Sequence, residues 1–142
     1  NGYNVPYGHY KKTPTIITKW QLDCISDLIK DVHFIHSDFT NSIRQIKSGD
    51  YVYFDPPYAP ENIQSFVGYT ADGFNLEKHM HLFDEIIKLD EKSVKFIMSN
   101  AKVDLVLKHF NDFIRKDIIA RRSINSKNPG SVSTEVLIRN YH

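Results

Sequence analysis

Cysteine is almost absent from this chain. Cys24 is the only one among 142 residues, which excludes a disulfide scaffold and a cysteine zinc site and points to a reducing, cytoplasmic compartment. Long apolar runs are missing too: none exceeds four or five residues, against the roughly 20 that a bilayer-spanning helix needs. The chain opens on Asn1-Gly2-Tyr3 without a basic stretch leading into an apolar one, so no secretory signal is visible. An initiator Met is lacking as well, which is expected of a truncated or processed piece. Charge of one sign is not in excess: 18 Lys and Arg face 17 Asp and Glu, for a net charge of +1. A strongly basic nucleic-acid binder would look different. What the chain has is aromatic side chains, nine Phe, eight Tyr and one Trp. With 41% hydrophobic residues they supply a core and argue against disorder.

The small net charge hides an uneven distribution. Residues 1–22 carry Lys11, Lys12 and Lys19 and no acid, residues 113–142 sum to +4, and the middle of the chain is left at −6. Two basic ends around an acidic centre can steer a polyanion through local potential, although solvated faces give the same pattern.

No repeats, low-complexity tracts or linkers appear. Trp20, Leu22, Ile25, Leu28 and Ile29 recur at helical spacing between Lys19 and Lys30. Val32–His36 is strand-like, and a short helix is expected from Thr40 to Lys47 with Gly49 ending it. Tyr51–Phe54 reads as a strand stopped by Pro56 and Pro57. A helix follows from Leu76 to Leu89 with Asn75 as N-cap. Next come a strand at Val94–Met98, a helix over Val103–Phe113, and strands at Ile118–Arg122 and Glu135–Tyr141 joined by a hairpin loop. Alternating strands and helices predict an α/β fold with a mainly parallel sheet and a C-terminal antiparallel hairpin. Ligands in such sheets bind beyond the carboxyl ends of the strands. Asp38, Asp55 and Ser99-Asn100 all fall at expected strand ends.

Asp55-Pro56-Pro57-Tyr58 is the most informative tetrapeptide. Immediately after a hydrophobic strand it makes a rigid turn with one carboxylate, proline carbonyls and one aromatic face. A planar exocyclic amine fits that corner: its two N–H groups would donate to Asp55 and to the Pro56 carbonyl, with Tyr58 against the heterocycle. The bland alternative is a strand-terminating turn with Tyr58 in the core.

Asp-Pro-Pro-Tyr is also the catalytic motif of S-adenosylmethionine-dependent amino-methyltransferases acting on adenine N6 or cytosine N4. The flanking segments resemble the Dam-type DNA adenine methyltransferases in particular. They are Tyr3–Lys11, Ser37-Asp38-Phe39, Phe66 to Tyr69, Ser99-Asn100, Arg121–Ser126 and Glu135–Tyr141, in the family's order. The resemblance implies a Rossmann-like methyltransferase sheet, methyl transfer to a flipped adenine in duplex DNA, and no metal. It makes Asp55, Pro56, Pro57 and Tyr58 the catalytic turn. Asp38, Phe39, Asp55 and Phe66 would meet S-adenosylmethionine. Asn4, Pro6, His9, Tyr10, Lys11 and Tyr69, together with Arg121, Arg122, Asn125, Ser126 and Lys127, would face double-stranded DNA. Relatives often carry a basic residue where this chain has His9. Residues 1–18 would end a target-recognition region, and residues 19–142 would be the C-terminal part of the catalytic domain.

One family feature is not found. The six glycines are scattered, without the Gly-rich segment that follows the family's first strand. The first two sheet strands are therefore expected to be lacking, and an N-terminal portion, in cis or as a separate chain, would complete the enzyme. Cys24, in an expected helix, reads as core. His79 and His81 fall on different sides of a helix and His33 and His36 on opposite faces of a strand, so no metal site is expected. Alternatives remain: a cytosine-N4 or RNA amino-methyltransferase, or an inactive nucleic-acid-binding remnant.

Overall fold

In the computed structural model, residues 16–60, 73–121 and 132–142 are described, and the chain divides into two compact units, residues 1–36 and 37–142. Among its described residues the first unit holds one helix, α1 (Lys19–Leu28). A reciprocal capping box starts it: the Gln21 N–H donates to Thr18 Oγ1, and the Thr18 N–H donates to Gln21 Oε1. Both orphan donors are satisfied that way. No residue of α1 is buried, and Cys24 is exposed, contrary to its expected place in a core. Among the described residues of this unit no second helix or strand forms beside α1. The expected strand at Val32–His36 does not form either. Its composition suits a strand, but β-structure exists only where a neighbour takes up the backbone hydrogen bonds. Phe34 and Ile35 are exposed.

The second unit begins with α2 (Phe39–Arg44), capped by Asp38 through the Thr40 N–H. Asp38 is thus a helix cap rather than a strand end. The sheet contains β1 (Tyr51–Phe54), β2 (Lys95–Ala101), β3 (Ile114–Arg121) and β4 (Val132–Arg139), and the helices α3 (Leu76–Glu91) and α4 (Asp104–His109) lie between strands in the chain. The strand order is β1-β2-β4-β3. Only β1 and β2 are parallel; β4 runs antiparallel to both β2 and β3. The described sheet is therefore mixed rather than mainly parallel. The reason is local: β4 turns back on β3 as a hairpin and inserts between β3 and β2, which makes two antiparallel ladders at once.

One face of this sheet carries the core. Phe96 and Met98 of β2, with Val136 and Ile138 of β4, meet Phe83, Ile86 and Leu89 of α3 and Val106 and Phe110 at α4, all fully buried. Phe83, Phe110 and Phe113 pack edge to face, the arrangement that ring quadrupoles favour. Asn140 ties three elements together. Its amide donates to Asp90 Oδ1 and to the Val94 carbonyl, both at 2.8 Å, and its oxygen accepts the Phe96 N–H at 2.8 Å. The consequence for function is that β1 ends at Phe54, opposite Met98, while β2 continues beside it to Ala101. Asp55, the first residue after β1, thus comes beside Ser99 within β2.

Candidate active site

Two prolines end β1, because neither can donate to a ladder. The chain leaves the sheet at Asp55, and β2 beside it runs on to Ala101. That difference in length brings the two strand ends into contact. Ser99 is buried and its hydroxyl donates to Asp55 Oδ1 at 2.8 Å, while the Tyr53 hydroxyl donates to Ser99 Oγ at 3.2 Å. A carboxylate has acceptor capacity for several donors. One oxygen of Asp55 is thus oriented by the protein, and the side chain stays exposed.

Tyr58 lies three residues on. Its hydroxyl donates to Glu135 Oε2 of β4 at 3.2 Å, and the residue is 36% exposed, so the ring is held at its tip yet open to solvent. Partial burial lifts the Tyr58 phenol above its ordinary range, and the carboxylates of Glu135 and Asp55 push the same way against a hydrogen bond with Ser99. The phenol therefore stays neutral. This is an aromatic face available for stacking rather than a core tyrosine.

The turn is anchored on both sides of Tyr58. Ahead of it, the Pro57 carbonyl lies 3.0 Å from Nε2 of His79, a residue of α3 that is only 1% exposed. After it, the Ala59 N–H donates to Oδ1 of Asn100 at 2.9 Å. The same oxygen accepts the Ala101 N–H at 2.9 Å, and the Asn100 Nδ2 is buried without a hydrogen-bond partner among the described residues.

Asp38 and Phe39 stand at the start of α2. The hydroxyl and the backbone N–H of Thr40 donate to Asp38 at 2.7 and 2.9 Å and hold its carboxyl below the ordinary aspartate value. The Phe39 ring packs against Phe74 and His81, with centroids 5.9 and 5.5 Å apart. Asp38 is engaged in capping α2 and Phe39 in packing α2 against α3.

Residues 1–124 match the model of the D12 class N6 adenine-specific DNA methyltransferases. The chain belongs to that family. It is 35% identical over 99% of its length to the type II methyltransferase M1.LlaDCHI of Lactococcus lactis subsp. cremoris, of which it covers 51%. It is 37% identical over 98% of its length to the type II methyltransferase M.MjaIII of Methanocaldococcus jannaschii, covering 49%. The DNA adenine methylase of Escherichia coli K12 is 28% identical over 87% of the chain, with 44% covered. The chain thus spans about half the length of the curated relatives it matches.

Within this family member the structure brings Asp55, Pro57 and Tyr58 together with four residues that were not singled out as site residues: Ser99, Asn100, His79 and Glu135. In the sequence Ser99-Asn100 reads as a polar strand end and, like Glu135, falls in a segment that resembles the family, without an assigned site role. His79 carried a usable signal, since it is four residues before Phe83 and seven before Ile86. That spacing puts a histidine on the apolar face of α3. Asn4, Pro6, His9, Tyr10, Lys11, Phe66, Tyr69, Arg122, Asn125, Ser126 and Lys127 lie outside the described residues. Arg121 is the last residue of β3, opposite Val132. Among the described residues no group of three His, Cys, Asp or Glu could hold a metal ion, and no helix is long and apolar enough to cross a membrane.

Proposed function

We propose that this chain is the catalytic part of an enzyme that methylates the N6 amine of an adenine flipped out of duplex DNA. The observation that carries the reading is the corner formed by Asp55 and Tyr58: a carboxylate with one oxygen oriented by Ser99, beside an open aromatic ring held at its hydroxyl by Glu135. The adenine amine is a weak nucleophile because its lone pair is delocalised into the ring. Asp55 accepts one of its N–H groups and the Pro56 carbonyl the other, which favours a pyramidal nitrogen. In-line attack would form the N–C bond as the donor's sulfonium S–CH3 bond breaks, the thioether leaving with that electron pair, and the amine proton would pass to Asp55 or to water. The turn contributes position and negative charge, without a covalent enzyme intermediate. Flipping the base costs a few kcal/mol, and stacking on Tyr58, about 1–3 kcal/mol, offsets much of that.

S-adenosylmethionine, the methyl donor the family implies, supplies when bound a methyl group on a positively charged sulfonium. The residues present suit one side of such a ligand. Asp55 would offer a carboxylate to the methionine end, Asp38 and Phe39 would meet the adenine end, and Phe66 would line the pocket. A Gly-rich backbone cradle is missing from the sequence. We therefore assign completion of this site to an N-terminal portion, in cis or as a second chain. The loop residues Asn4, Pro6, His9, Tyr10 and Lys11, with Tyr69 and the patch Arg121, Arg122, Asn125, Ser126 and Lys127, would contact the duplex, chiefly its phosphates. Residues 1–18 then close a target-recognition region, and residues 19–142 form the C-terminal part of a Rossmann-like catalytic domain. The test is methyl transfer to duplex DNA by the chain combined with the N-terminal portion. Asp55→Ala should abolish it, and mapping the modified base to adenine N6 separates this reading from cytosine-N4 chemistry. Undiminished transfer by Asp55→Ala would overturn it.

A further inference from the structure

Tyr58 is fixed from behind as well as at its tip, and the residue that does this is a buried histidine on a different element. His79 is enclosed by Phe74 and Phe83, with ring centroids 4.6 and 5.9 Å away. Its Nε2 lies 3.0 Å from the Pro57 carbonyl and its Nδ1 lies 2.9 Å from the carbonyl of Asn75, the N-cap of α3. These two carbonyl oxygens can only accept, and a neutral imidazole carries one N–H, so a hydrogen bond to Pro57 requires that proton on Nε2. The Pro57 carbonyl belongs to the peptide plane that leads into Tyr58. On the far side, the Ala59 N–H is held by Asn100.

We propose that His79 is a positioning residue: by donating from Nε2 to the Pro57 carbonyl, it fixes the Pro57–Tyr58 peptide plane and, with Asn100, aims the Tyr58 ring at the target base. The inference rests on the reading of Asp55–Tyr58 as the reacting turn. Pro57 lacks an N–H, so it has no donor of its own with which to secure the turn. Its carbonyl is the one handle available at that position, and α3 brings a donor to it across 22 residues of sequence. A misplacement of about 1 Å at a reacting group can cost on the order of 100-fold in rate, which is why such a clamp matters although it touches no substrate.

Two amide replacements separate positioning from filling space. In His79→Gln the amide nitrogen reaches where Nε2 was; in His79→Asn it reaches only where Nδ1 was. Amide exchange in the full chain should be about tenfold faster at Ala59 in His79→Asn, the loss of about one hydrogen bond, and near wild type in His79→Gln. Exchange at Ile86 in α3 should be unchanged in both. Ring nitrogen resonances of the unaltered chain should show Nε2 carrying a proton. In the chain completed with its N-terminal portion, His79→Asn should lower kcat about 10- to 100-fold with KM for DNA little changed, and His79→Gln should restore most of it. Equal behaviour of the two variants at Ala59, or an unprotonated Nε2, would overturn the proposal. Asp55→Ala, run alongside, tests the reading of the turn separately, because the exchange measurement needs no catalysis.

Discussion

Tyr58 must present a ring face to solvent while its position is fixed, and the hydroxyl bond to Glu135 meets both demands. Removing only the hydroxyl, in Tyr58→Phe, should therefore cost a few-fold in methyl transfer, whereas Tyr58→Ala should cost about 10- to 100-fold, the value of one stacked base. Steady-state kinetics of the completed enzyme on duplex DNA checks this. An alanine variant no worse than phenylalanine would remove the stacking role. The titration of Asp38 provides a second check at this scale. Its carboxyl is held down chiefly by the Thr40 hydroxyl and N–H. A depressed acid contributes stability that is present above the ordinary aspartate value and is lost as pH falls through the lower folded value. Proton titration by NMR should find Asp38 protonating below ordinary aspartates, and Thr40→Ala, which deletes the hydroxyl donor, should move it back up. Asp55, Pro57 and Tyr58 were legible because the turn they build is contiguous. Ser99, Glu135 and His79 were not, since their bonds to the turn span 44, 77 and 22 residues.

Most elements were legible from periodicity and caps. The α3 helix, with Asn75 accepting the Lys78 N–H at 2.9 Å, forms as its spacing requires. The β1 strand is found at Tyr51–Phe54, where the two prolines must stop it. The failure at Val32–His36 is instructive, because strand propensity describes a segment and strand formation requires a neighbour. Two features of the α3–β2 connection make further predictions. Ser93 has φ +57°, the left-handed region that favours glycine. There the Ser93 N–H donates to the Asp90 carbonyl and the Val94 N–H to the Leu89 carbonyl, closing the helix. Ser93→Gly should relieve about 1 kcal/mol of backbone strain, seen as a rise of a few degrees in Tm. A few residues away, Asn140→Ala deletes three hydrogen bonds among α3, β2 and β4. It should destabilise the fold by about 2–3 kcal/mol, measured by urea unfolding. A loss under 0.5 kcal/mol would mean that water replaces the amide without cost.

At the scale of the whole molecule the decisive feature is the outer edge of β1. Among the described residues β1 pairs only with β2, and Tyr51 and Tyr53 are 57% and 58% exposed on it. Parallel pairs are ordinarily covered on both faces and flanked on both sides, and an open edge is a template for another strand. Asp55 follows at the end of this same strand, so on the proposed reading a segment that pairs with this edge would also reach the reacting turn. Coupling between fold completion and ligand binding follows. The chain by itself should bind S-adenosylmethionine weakly or not at all. Adding the N-terminal portion should at once slow amide exchange along β1 and create the binding, because one surface supplies both. Calorimetry and exchange on the same samples check this. Micromolar binding by the isolated chain would show that Asp38, Phe39 and Asp55 suffice for the ligand, and binding restored without protection of β1 would place the completing segment elsewhere on the sheet.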